Sequence, residues 1–213
     1  MDDEELEGEV RSIYSDAECD AYDPPHIVDL ARRTPGIEAV QYVNTTPTGL
    51  MQIDENGRCT IQVSERLSSA AQSFLVGHEL GEFRLSQRKL PYVEADIERV
   101  CSRLGARLIA PTPAVCLAHT AHGLDLPRLA DCFSTSETLI ALRVSEVRGF
   151  ALAVVGPHFV WRRDAWHQLP VDAILFRAVR RRDVRELRVI PLTDAKARAV
   201  VIYKARGNSQ INE

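Results

Sequence analysis

From Ser68 to Leu85 the chain runs without a proline, and Ala71, Leu75, Leu80 and Phe83 recur at the spacing of one helical face. The middle of that helix reads Phe74-Leu75-Val76-Gly77-His78-Glu79-Leu80-Gly81-Glu82-Phe83. His78 and Glu82 stand four apart and project from one face, with Glu79 one position round. Such a helix must bury one side in a core while presenting an imidazole and two carboxylates at the same level. The small residue at Gly81 lets another element approach it closely.

In the H-E-x-x-H pattern, two histidines one turn apart hold a metal ion and the intervening Glu acts on a water. Here Glu82 occupies the second histidine position. A catalytic zinc site needs three protein ligands and one open position. Glu94, Asp96 and Glu98 on the next helix are candidates for the third ligand. Carboxylate and imidazole bind zinc at similar distances, so Glu82 is compatible with binding. One His and two carboxylates neutralise a divalent ion, which makes its bound water a weaker acid and favours harder ions such as manganese. Three readings of Glu82 follow. It is a ligand in a working site, a remnant on a scaffold that binds a protein without cutting it, or a salt-bridge partner of Arg84, Arg88 or Arg103.

The chain has 213 residues, enough for one substantial core or for one domain with an appendage. No apolar run approaches the length of a membrane span, and Met1-Asp2-Asp3-Glu4-Glu5 is unlike a signal peptide. A cytoplasmic location with no membrane partner is expected. Five cysteines without a C-x-x-C pair read as reduced buried thiols. The formal charge of −4 hides an acidic start and a basic stretch over 177–206. That stretch can meet nucleic acid, but no nucleic-acid motif accompanies it, and a solvated face is favoured.

Residues 1–21 read as an acidic lead, mobile or loosely helical. A helix through Ile27, Leu30 and Ala31 follows, with Asp23 as N-cap and Pro35-Gly36 as its stop. Strands are expected over 37–43, 49–53 and 59–63, the last two joined by a turn at Asp54-Glu55-Asn56-Gly57 whose Asn-Gly supplies positive φ. A second long helix spans about 93–110 with Ile97, Val100, Cys101, Leu104 and Leu108 as its apolar stripe, closed by Pro111 and Pro113. Helices over 114–121, over 126–133 and from a Ser134 or Ser136 cap to Val147 precede four strands in 150–203. The expected fold class is α+β: a helical core with two motif helices and a small N-terminal sheet, plus a β-containing C-terminal extension.

Other polar groups have simpler explanations. His119 and His122 fit a helix surface better than a metal site. Trp161 and Trp166, beside Arg162 and Arg163, suit packing of a small β unit. Ser134 and Ser136 are capping residues without a His-Asp partnership.

The Ser73–Gly81 segment resembles the zincin-like motif helix of the ImmA/IrrE metallopeptidases, close to F-T-L-A-H-E-L-G-H. Glu98 to Pro111, Glu-Arg-Val-Cys-Ser-Arg-Leu-Gly-Ala-Arg-Leu-Ile-Ala-Pro, is similar to that family's E-x-E-A-N-x-F-A-A-x-L-L-M-P, with Cys101 and Ser102 replacing Ala and Asn. Leu126–Ser136 and Ile140–Val144 resemble its L-A-x-x-F-x-V-S and A-x-x-R-L segments. The resemblance covers 22–148 and leaves 149–213 as a basic, β-rich extension. It implies a cytoplasmic endopeptidase whose protein substrate is a helix-turn-helix repressor. It also implies His78, Glu82 and Glu98 as metal ligands for zinc, or alternatively manganese, and Glu79 as the catalytic general base.

Overall fold

The computed structural model describes residues 1–44, 49–88 and 94–149, together with the backbone of four strands between 151 and 203. It is an α+β protein that divides into two compact units, Met1–Ser136 and Glu137–Glu213. Among the described residues no helix is long and apolar enough to cross a membrane.

The chain begins with α1 (Asp3–Asp16), which is a regular helix and not a loose lead. Asp2 accepts from the Glu5 amide while the Glu5 side chain accepts from the Asp2 amide, a reciprocal capping box. Leu6, Val10, Ile13 and Tyr14 lie on one face and are buried. The helix ends where Glu18 turns to φ 52 and the Cys19 amide reaches back to the Tyr14 carbonyl at 2.9 Å. α2 (Ile27–Arg33) is capped by His26, whose ring nitrogen accepts from the Val28 amide; Asp23 is not the cap.

The first sheet has the order β1 (Ile37–Val43), β3 (Cys59–Ser64), β2 (Gly49–Ile53), with β1 parallel and β2 antiparallel to the central strand. A register shift between Ile37 and Ala39 brings Ile37 and Val40 to the buried side although they stand three apart, so simple alternation fails in β1. The β2–β3 turn forms where expected, but Gly57 (φ 76) alone takes positive φ. Asp54 organises it by accepting from the amides of Asn56 and Arg58.

Against this sheet lies α3 (Ser69–Gln87), capped by Ser68, and against α3 lies α4 (Glu94–Ile109). With partners on several sides, α3 buries Ser73, Val76, Gly77, Glu79, Leu80, Gly81, Phe83 and Leu85. The single stripe read from the sequence does not describe it: Ala71 and Leu75 are only half-buried. The α4 stripe holds at Val100, Cys101, Leu104 and Leu108. Pro111 ends α4, whereas Pro113 sits in the first turn of α5 (Thr112–His122), which Gly123 closes. α6 (Leu126–Cys132), capped by Asp125, completes the first unit.

The second unit contains α7 (Glu137–Arg148), closed by Gly149 at φ 67, and β4 (Ala151–Val155), β5 (Val160–Arg162), β6 (Leu187–Pro191) and β7 (Ala199–Tyr203). These strands form an antiparallel sheet of order β5-β4-β7-β6. Arg163, Trp166 and the basic residues of 177–206 other than Arg188 lie outside the described residues.

Candidate functional site

The site is built where α3 crosses α4. Gly77 and Gly105 face each other at the crossing. A Cβ on Gly105 would come within 2.8 Å of the Gly77 backbone, and one on Gly77 within 3.0 Å of the Gly105 carbonyl. Gly81, singled out in the sequence, meets Cys101 and Leu104 at ordinary contact distance, so the tightest approach is one turn earlier.

This close approach places His78 of α3 against one face of α4. His78 Nε2 lies 3.3 Å from Glu98 Oε2, and Nδ1 lies 3.2 Å from Ser102 Oγ. Glu98 and Ser102 are one turn apart, so α4 grips both ring nitrogens. Glu98 is largely exposed and His78 largely covered. Asp96, another candidate, points away into an ion pair with Arg99.

Glu79 is buried beneath the start of β2. Gly49 makes that possible, because a Cβ there would fall 2.8 Å from Glu79 Oε1. Burial, with the nearby charges of Glu82 and Glu98, raises the Glu79 carboxyl to about 7. Burial, with the charges of Glu82, Glu98 and Glu79, pushes the Cys101 thiol up to about 12, while burial with Glu79 and Glu82 raises Cys59 to about 11. These two thiols are protonated and inert, as expected from the sequence. Cys132 is exposed, and Cys19 and Cys116 are half-buried, so the expectation of five buried thiols fails for three.

Glu82 is half-buried and has no hydrogen bond or ion pair among the described residues. The arginines named as its salt-bridge partners are engaged elsewhere. Arg84 pairs with Glu9 and Asp16, Arg88 with Glu9, and Arg103 with Asp3. The acidic N-terminal segment therefore finds its counter-charges on α3 and α4.

The donor set can be tested against a metal. Two donors about 2.1 Å from one ion at tetrahedral angles lie about 3.4 Å apart. The His78 to Glu98 separation fits that span. Glu82 and Glu98 lie near enough to Glu79 to oppose its charge. Glu82 does not close the set: among the described residues no group of three His, Cys, Asp or Glu side chains is arranged to hold a metal. His119 and His122 are half-buried at the end of α5 and join no such group. Sequence reasoning missed Ser102 and Gly49 as parts of the site. Ser102 follows Glu98 by four residues, a spacing that would have placed it on the same face.

No family model and no curated protein matches the chain. Among solved structures it is similar to a Mycobacterium tuberculosis transcriptional regulator, with a TM-score of 0.60 and 13% identity over 93% of this chain and 86% of that one. At that identity the likeness speaks for the fold alone.

Proposed function

We propose that the chain is a metal-dependent endopeptidase acting on a protein substrate, a DNA-binding regulator being the class implied by its resemblance to the ImmA/IrrE enzymes. The observation that carries this reading is the meeting of His78 Nε2 and Glu98 Oε2, from neighbouring helices, beside a buried carboxylate at Glu79. His78 and Glu98 would hold the ion, and Glu82, which is not grouped with them among the described residues, would have to turn toward them to serve as the third ligand. A divalent ion, zinc or manganese, supplies Lewis acidity toward a peptide carbonyl and toward water. Glu79 would be the group that takes a proton from water. A carboxyl raised to about 7 is suited to accept and return a proton near neutral pH. The backbone at Gly49 lies close against one side of it.

The test is metal analysis of untagged protein by mass spectrometry, followed by incubation with a panel of repressor proteins. One equivalent of zinc or manganese, and cleavage that Glu79→Gln removes while metal is retained, is the expected outcome. Substoichiometric metal with a melting temperature unmoved by either ion would sink the enzyme.

A second reading has its own support. The absence of a closed three-residue group among the described residues favours a scaffold that binds a regulatory protein without cutting it. The similar solved structure, named a transcriptional regulator, is consistent with either role. Stable capture of an uncut repressor by metal-free protein would favour the scaffold.

A further inference from the structure

We infer that the outer edge of β2 is a docking site for a second copy of this chain, the two β2 strands pairing antiparallel about Met51. The inference depends neither on a metal nor on peptidase activity.

The two edges of the first sheet differ. β1, at one edge, carries the charged Glu38 and a register shift between Ile37 and Ala39. Charges and bulges are the usual devices that keep an edge strand from pairing with another chain. β2, at the other edge, reads Gly49-Leu50-Met51-Gln52-Ile53 and has neither charge nor proline. It pairs with β3 in unbroken register, and among the described residues no strand pairs with its outer side. Leu50 is 43% exposed and Ile53 48%. Such a strand is open to pairing with a further strand.

The order of residues in β2 is self-complementary. A two-fold axis through Met51 sets Gly49 opposite Ile53 of the second copy and Leu50 opposite its Gln52, and each contact occurs twice. Residues directly opposite share a face, with Cβ atoms about 5 Å apart. Gly49, Met51 and Ile53 face the same way as the buried Val63, Ile61 and Cys59 with which they pair. On that face the missing side chain of Gly49 leaves room for Ile53 of the second copy. On the other face Leu50 lies along the methylenes of Gln52. The first charged residue, Asp54, falls outside the paired segment at both ends, so no like charges meet. The product is a continuous sheet of order β1-β3-β2-β2-β3-β1. Pairing over one short strand is smaller than a standard interface, so the dimer should form at about 100 μM and separate at about 1 μM.

The experiment follows the full-length chain by sedimentation velocity and hydrogen exchange across that range. Wild type should shift from monomer to dimer, with the β2 amides gaining protection and those of β1 unchanged. Leu50→Lys with Gln52→Lys sets lysine against lysine twice across the axis and should weaken the dimer about tenfold. Leu50→Lys with Gln52→Glu sets unlike charges there and should recover it. Both positions are exposed, and melting temperatures equal to wild type at the low concentration establish that the variants fold. A monomer at every concentration, a lysine–lysine variant as dimeric as wild type, or a lysine–glutamate variant as weak as lysine–lysine would overturn the inference. So would protection of β2 that appears only when an extended peptide is added to the monomer, which would give the edge to a different strand.

Discussion

Glu79 is held where its surroundings oppose its charge: it is buried beneath the start of β2, with two carboxylates nearby. Its pH dependence follows. The unperturbed carboxyl titrates near 4.5 and the folded one at about 7. Between those values the folded chain keeps a proton that the unfolded chain has lost. Stability from this group is therefore complete below the lower value and is lost as pH rises through the upper one. In chelator, wild type should lose stability relative to Glu79→Gln between about pH 4 and about pH 8, by on the order of 3 kcal/mol. Urea unfolding at several pH values measures it, and parallel curves for the two proteins would refute the burial argument. Replacing Glu82 by His restores the softer donor, and zinc should bind tighter by about 1.4 kcal/mol, a factor of ten. Unchanged affinity in Glu82→His would show that position 82 does not touch the ion. That His78, Glu79 and Glu82 share one helix and Glu98 lies on the next was legible from helical spacing. Gly49 was not, because its role depends on a strand lying over a helix, which no local pattern encodes.

At the scale of elements, the α3–α4 crossing depends on two missing side chains. Gly105→Ala puts a methyl group 2.8 Å from backbone, which cannot move as a side-chain tip can. A loss of about 1–3 kcal/mol is expected from such overpacking. Thermal unfolding would measure it, and the displaced crossing should also carry His78 away from Glu98. An alanine variant as stable as wild type, with the His78 ring signals unchanged, would refute the tight approach. The α4 stripe and every strand were legible to within a residue or two, because proline, glycine and alternating apolar residues mark them. The β1 bulge was not, since an inserted residue leaves no local mark. In α1 the spacing of Leu6, Val10, Ile13 and Tyr14 is that of a buried stripe, and Asp2 with Glu5 is a capping box. The run of acidic residues outweighed both signals in a reading by composition.

For the molecule as a whole, α1 serves as an electrostatic and apolar clamp on the first unit. Glu9 is fully buried between Arg84 and Arg88, Asp3 reaches Arg103 and Arg107, and Glu7 reaches Arg107. The Tyr14 hydroxyl donates to the Leu108 carbonyl at 2.8 Å from within the core. Removing the Glu9 carboxylate leaves Arg84 to Asp16 and takes the ion-pair partner from the half-exposed Arg88, so Glu9→Ala should cost about 1–3 kcal/mol. Denaturant midpoints at fixed pH test this, and a neutral result would assign the cohesion of α1 to its apolar face alone. Arginines on α3 and α4 and carboxylates on α1 were each visible in the chain. Their pairing spans about a hundred residues, and only the fold decides which charges meet.

The glycine at the head of β2 has one more consequence. With no side chain to act as a cushion, the peptide backbone there rests directly on the Glu79 carboxylate. Anything that alters this acid, whether a proton, an ion or a bound peptide, should be felt first by the amides of Leu50 and Met51. Their hydrogen-exchange rates would then read out the state of the buried acid from outside, without a substrate.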